Sequence, residues 1–263
     1  MSDVLAGWAQ APFTAAGVTH DVYRRGTGPG VVLLPELPGM SPAVMALADR
    51  LVASGFTVAV PSIIGTPGRA LSGGYLASSI TTLCVSAELR AFAARAARPV
   101  AEYTRALARR LHDEVGGPGV GVIGMCFSGG FALAAAVEPA VLAPVASQPS
   151  TPVPFGRARR RDVGMSDAER DAVARRAREE GLCALGLRFS EDKAVPDARF
   201  AALGEMLGEG WRVVEIDSSP GNPHGLTARA HSVLSNDYVD EPGHPTVAAY
   251  ETVVDFLRER LAG

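Results

Sequence analysis

Three residue types, met in one order along the chain, could do covalent chemistry. They are a cysteine at Cys126, acidic residues at Glu191, Asp192 and Asp197, and histidines at His224, His231 and His244. A nucleophile, a base that carries its proton and a carboxylate that orients the base make up an acyl-transfer set. Cys126 is the singular member. It lies in "VGVIGMCFSGGFALAAA", Val120 to Ala136, where an apolar run meets a Gly-x-Cys turn, two glycines and a run of small residues. A cysteine kept for packing would sit within the strand or the helix, not at the sharpest point between them. Placed there, its side chain points clear of the sheet, and the unpaired N–H groups of the helix behind it carry a partial positive charge. Such a thiol is expected to be a better nucleophile than an ordinary cysteine. Gly124, Gly129 and Gly130 let strand and helix approach closely. Ser128 is not the nucleophile, because a Gly-x-Ser-x-Gly turn around it would need glycine at position 126. Cys183 opens an apolar strand and reads as core, and Cys84 has no acid or base nearby in sequence.

The elements that must position these residues are written in the apolar runs. "VVLLPE" (Val31–Glu36), "TVAVPS" (Thr57–Ser62), "VGVIGM" (Val120–Met125), "VLAPVAS" (Val141–Ser147), "CALGLRFS" (Cys183–Ser190) and "RVVEID" (Arg212–Asp217) read as strands of a parallel sheet buried on both faces. Between them, "SPAVMALADRLVASG" has Ser41 as N-cap, Pro42 at the first helical position and Gly55 at its close. "RPVAEYTRALARRLHDEVGG" keeps Val100, Tyr103, Leu107 and Leu111 on one stripe, and "TVAAYETVVDFLRERLAG" supplies a C-terminal amphipathic helix. Strand–helix alternation of this kind implies a mostly parallel, doubly wound α/β sheet flanked by helices. Residues 1–263 read as a single domain with excursions at about 63–98 and 151–181, both after strand ends where open α/β sheets build their sites. The basic run Arg157–Arg161 in the second excursion reads as a solvated surface, with an anion site as the alternative.

Bulk properties remove whole classes of function. A net charge of −3 gives no electrostatic case for nucleic acid or an anionic membrane. The N-terminus lacks a basic patch followed by an apolar run, and no apolar stretch is long enough to span a bilayer. Three cysteines without a CxxC pair argue against a disulfide framework or a structural zinc site. The expectation is a soluble, cytoplasmic protein without metal or organic cofactor, acting on a small molecule, with homo-oligomerisation left open.

A cysteine at a strand–turn–helix corner is the nucleophile elbow of the α/β-hydrolase fold, in which the partners follow in the order nucleophile, acid, base. After the next-to-last strand comes "RFSEDKAVPDARF", where Asp192 is the chosen acid and Glu191 and Asp197 are its rivals. After the last strand, His231 in "ARAHSVLS" stands where the base belongs, with His224 in "GNPHGL" as the alternative. His244 beside Pro245 reads as a surface or capping residue, and His20 and His112, which precede the nucleophile, read as ordinary surface histidines.

With "LLPELPG" early on, followed by "GMCFSGG", "SEDKAVP" and "AHSVLS", the chain resembles the dienelactone hydrolase family from about Val31 to Leu261. The resemblance implies an α/β-hydrolase in which Cys126 attacks the carbonyl of a small ester or lactone, His231 shuttles the proton and Asp192 holds His231. It implies a further role for Glu36, as a carboxylate that contacts the thiol and helps to generate thiolate when substrate enters. It also implies an oxyanion hole from the backbone N–H groups of Phe127 and Leu37. The chain departs from the family pattern in three places. No arginine follows the histidine in "HSVLSNDY", the matching positions of Arg90 and Arg95 are open, and Ser128 stands where glycine is more usual. The chemistry therefore carries over further than the substrate does, and a general esterase or thioesterase, or a non-catalytic ligand-binding relative, is the alternative reading.

Overall fold

The computed structural model describes residues 3–85, 99–151 and 157–262, with side chains described over 4–79, 99–151 and 159–262. The strands are β1 (Ala9–Ala15), β2 (Val18–Arg25), β3 (Gly30–Leu34), β4 (Thr57–Pro61), β5 (Val120–Met125), β6 (Val141–Ser147), β7 (Ala184–Phe189) and β8 (Trp211–Ile216). The described helices are α1 (Pro42–Ala53), α2 (Gly73–Val85), α3 (Pro99–Val115), α4 (Gly129–Ala135), α5 (Arg157–Arg160), α6 (Asp167–Glu180), α7 (Asp197–Leu207) and α8 (Pro245–Leu261). The eight strands form one sheet in the order β1-β2-β4-β3-β5-β6-β7-β8. All neighbours from β4 to β8 run parallel, whereas β1 and β2 are antiparallel to each other and β2 to β4.

The six parallel strands are those read from the apolar runs; β1 and β2 were not anticipated. Their residues explain the omission. β1 has no fully buried residue and β2 only two, Val22 and Tyr23, so neither carries the continuous apolar signature of a central strand.

Alternation along each central strand divides the core between two faces. In β3, Val31 and Leu33 pack with α1 and α8, while Val32 and Leu34 pack with α3 and α4 on the other side. Because β3 and β5 are buried on both faces, their C-terminal ends can only open upward, into the crevice where such sheets carry their sites. Helix α1 begins as expected. Ser41 accepts the N–H of Val44 and Pro42 takes the first position, while Gly55, with φ 94°, reverses the chain after the helix. His244 caps α8, accepting the N–H of Thr246, and is buried rather than on the surface. His20 is also not an ordinary surface histidine: it packs edge-on to Tyr103 at 5.1 Å between ring centroids. Among the described residues, no helix is long and apolar enough to cross a membrane.

Candidate active site

The elbow is built by close approach. Cys126 follows β5 directly with φ 54°, a left-handed conformation that a non-glycine residue adopts only when its surroundings enforce it. The enforcement comes from the glycines. A Cβ on Gly124 would lie 2.2 Å from the Ser128 carbonyl oxygen, and one on Gly130 would lie 2.7 Å from that of Gly164. Only bare backbone fits where the strand meets the elbow and where the segment at Gly164 crosses α4. Ser128 adds a latch of its own. Its fully buried hydroxyl accepts the Met125 N–H at 2.8 Å and points its proton at the carbonyls of Met125 and Leu34, 2.8 and 3.2 Å away. A serine where glycine was the expectation thus ties the elbow to the end of β3.

Asp192 and His231 are brought to the thiol by two loops fixed from outside. Asp192, 8% exposed, follows β7; its Oδ1 accepts the Ala194 N–H at 2.9 Å, and its Oδ2 lies 2.6 Å from His231 Nδ1. The His231 loop is held by Asp237, whose Oδ2 accepts the N–H groups of His231 and Ser232 at 2.8 Å each. Arg50 reaches across from α1 to the Leu234 carbonyl at 2.8 Å. With Nδ1 committed to Asp192, the other ring nitrogen is left for Cys126, whose side chain also acts on the imidazole. Burial on its own would lower the His231 pKa, but the hydrogen bonds to Asp192 and Cys126 and the charges behind them push it up to about 11. The rivals fall away on position. Glu191 is exposed, Asp197 pairs with Arg188 at 2.6 Å, and His224 is exposed against His244.

Glu36 stands at the end of β3, as expected, but its carboxylate is engaged elsewhere than on the thiol. It is 2% exposed and takes four donors: Gln148 Nε2 at 3.1 Å, Ser232 Oγ at 2.9 Å, Asn236 Nδ2 at 3.1 Å and the Ser235 hydroxyl. Burial raises its pKa, against the lowering pull of Ser235, Ser232, the His231 charge and Gln148. Cys126 Sγ has the Ser150 hydroxyl as its hydrogen-bond partner instead, at 3.1 Å. Among the described residues no hydrogen bond joins Glu36 to the thiol, as the expected contact would. The short polar side chains after His231 bind the carboxylate that was to reach the sulfur.

The segment Ser147–Thr151, read in sequence only as a strand end, forms a wall of the site. Gln148, at φ 36°, bridges to Glu36, and Ser150 N–H donates to the Cys126 carbonyl at 3.0 Å. Beneath this wall lies Arg199 of α7, 1% exposed. It donates to the carbonyls of Pro149, Asp162, Ala194 and Arg159 and to Thr151 Oγ1. Burial draws its pKa down to about 10, opposed by Asp162 and Asp192. One buried cation thus binds the thiol's wall, the second excursion and the acid loop together. Arg199→Met would strand those acceptors, so it is expected to cost about 2 kcal/mol or more and to lower the melting temperature by roughly 4–8 °C. An unchanged melting curve would show that the loops hold without it.

Leu37 lies half-buried in the turn after β3, and among the described residues no backbone acceptor takes its N–H. Phe127 opens the turn into α4, where N–H groups lack intrahelical partners. Arg90 and Arg95 lie outside the described residues, as does the Cys84 side chain; Cys183 is half-buried at the edge of the core.

A family model described as "Dienelactone hydrolase family" matches residues 17–261. No curated protein sequence matches the chain. A dienelactone hydrolase-like promiscuous phosphotriesterase, P91, from metagenomic libraries superposes with a TM-score of 0.62 at 18% identity, covering 97% of this chain and 98% of that one. Dienelactone hydrolase from Anabaena variabilis does so with a TM-score of 0.59 at 18% identity, over 97% and 98%. An α/β serine hydrolase without a lid, from Xanthomonas campestris, gives a TM-score of 0.56 at 14% identity, over 98% and 97%. The shared feature is the α/β-hydrolase fold.

Proposed function

The chain belongs to the dienelactone hydrolase family, and on that premise we propose that it hydrolyses a small carboxylic ester or lactone through an acyl-enzyme on Cys126. The observation that carries this reading is the 2.6 Å contact of His231 Nδ1 with the buried Asp192, in an imidazole whose pKa responds to the Cys126 side chain. A binding protein has no use for a strained cysteine aligned with an imidazole and a buried carboxylate.

The raised His231 pKa gives the three residues a direction. His231 takes the Cys126 proton, and the sulfur attacks the carbonyl carbon. The C–S bond forms as the carbonyl electron pair moves to oxygen, where the N–H groups of Phe127 and Leu37 receive it. Part of what holds the proton on His231 is the negative sulfur. Acylation removes that charge, so the imidazolium becomes a stronger acid at the moment when the leaving alkoxide needs a proton. The neutral imidazole then takes a proton from water, whose oxygen attacks the thioester and releases the acid. Asp192 keeps Nδ1–H in place throughout.

Glu36 serves this cycle as an anchor and a charge. Its four donors come from the residue after β6 and from the His231 loop, so it fixes that loop, and its carboxylate favours the imidazolium. In Glu36→Gln the new NH₂ group would face two donors where an oxygen accepted them. Turnover and melting temperature are expected to fall together, the latter by about 4–8 °C. A large fall in turnover with an unchanged melting curve would instead make Glu36 a proton acceptor. The hydrolase reading is tested with a panel of chromogenic esters, a thioester and an unsaturated lactone. Turnover with an acyl mass increment on Cys126 is the expected result; ligand binding without turnover on any of them would overturn it.

A further inference from the structure

The thiol has a second polar neighbour with no part in the acid–base line. Ser150 Oγ lies 3.1 Å from Cys126 Sγ, and among the described residues this is the only hydrogen-bond contact of that hydroxyl. The serine is not free to drift. Its own N–H donates to the Cys126 carbonyl at 3.0 Å, so it grips the elbow residue by backbone and side chain together. On the preceding side, Gln148 N–H donates to the Leu187 carbonyl at 2.6 Å, and Arg199 holds the Pro149 carbonyl at 2.9 Å. Pro149 is also packed against the elbow, since a Cβ on Gly129 would lie 2.7 Å from the proline Cβ. Gln148 meanwhile holds a left-handed backbone conformation, of the kind that persists where surrounding structure over-determines it. A strained, braced segment delivers one hydroxyl to one sulfur.

We propose that Ser150 is a further catalytic residue, whose hydroxyl donates to the Cys126 thiolate and holds it ready for attack. This rests on the reading of Cys126 as the nucleophile. Once the sulfur is ionised it accepts the Ser150 O–H that lies 3.1 Å away. A hydrogen bond to an ionised acceptor is about twice as strong as one between neutral groups, so the hydroxyl favours the thiolate over the thiol. When the sulfur bonds to the acyl carbon its charge leaves with the electron pair, and the Ser150 hydroxyl loses its anionic acceptor. No proton moves to or from Ser150 in that step. The hydroxyl also fixes the direction of the sulfur, aligning it for the incoming carbonyl.

Three proteins test this: wild type, Ser150→Ala and Ser150→Thr. The readouts are the second-order rate of Cys126 alkylation by iodoacetamide at pH 7 and kcat/KM on a chromogenic ester that the wild type turns over. Ser150→Ala is expected to lose about tenfold or more in both, the scale of one charge-assisted hydrogen bond, with an unchanged melting curve. Ser150→Thr, which keeps the hydroxyl, is expected to recover most of both rates. Wild-type rates in Ser150→Ala would overturn the proposal, leaving the serine as a wall. Losses that threonine does not restore would overturn it too, by assigning the effect to shape. Turnover retained in Cys126→Ala would instead remove the reading beneath it, so the two failures are separable.

Discussion

Replacing Cys126 by alanine is expected to abolish hydrolysis, by about 10⁴–10⁶-fold in kcat, while the protein folds as before. The magnitude follows from what is deleted. Without the sulfur there is no acyl-enzyme, and His231 and Asp192 have nothing to activate; loss of a nucleophile that acts as a unit with its base costs nearly as much as loss of the whole set. The fold should tolerate the change, because the side chain is only half-buried and the positive φ of 54° is imposed by Gly124, Ser128 and α4 rather than by the thiol. Mass spectrometry after limited iodoacetamide treatment provides a second measure, with the label expected on Cys126 ahead of Cys84 and Cys183. Near-normal turnover in Cys126→Ala, with an intact circular dichroism spectrum, would sink the assignment.

The second large effect belongs to the base. His231→Ala is expected to lower kcat by about 10³–10⁴-fold or more, because the same ring holds the proton during attack, gives it to the leaving group and takes the next from water. His224→Ala is the control. That ring is exposed and stacks edge-on with His244 at 5.4 Å between centroids, so its loss should change the rate little. The comparison is made at saturating substrate by measuring kcat for both variants. The reverse order of effects would move the base to His224 and break the link to Asp192.

How far these residues could be read without coordinates depended on whether their signal was local. The elbow was legible because strand, turn and helix follow one another within a single stretch, and the crowding at Gly124 is a contact with its sequence neighbour Ser128, whereas Gly129 and Gly130 are crowded by the distant Pro149 and Gly164. Of the six parallel strands, β3 to β7 were legible because burial on both faces leaves an apolar run, whereas β8, at the sheet edge, is buried only at Ile216 and showed as a short apolar stretch between charges. β1 and β2 left no such run, as their faces are half in solvent. Glu36 was placed correctly after β3, but its partners were not. Gln148, Ser232, Ser235 and Asn236 join it across 112 to 200 positions of sequence, and no short pattern encodes such a meeting. Arg199 was hidden for the same reason. Within "VPDARF" it looks like any charge on a helix, and only the fold turns it inward beneath three loops. Ser150 stood one residue before the second excursion, where a serine ordinarily means a turn.

The latch from Ser128 to the Leu34 carbonyl spans 94 residues, and it bears on the order in which the protein becomes itself. The elbow cannot take its shape until β3 and β5 have paired, and the remaining neighbours of the sulfur arrive from the ends of β6 and β8. Contacts so distant in the chain form slowly, since each closes a long loop before it returns any free energy. During synthesis and refolding, then, Cys126 stays an ordinary thiol while the sheet assembles around it. Its reactivity is withheld from every incomplete form of the chain and arrives with the last pairings.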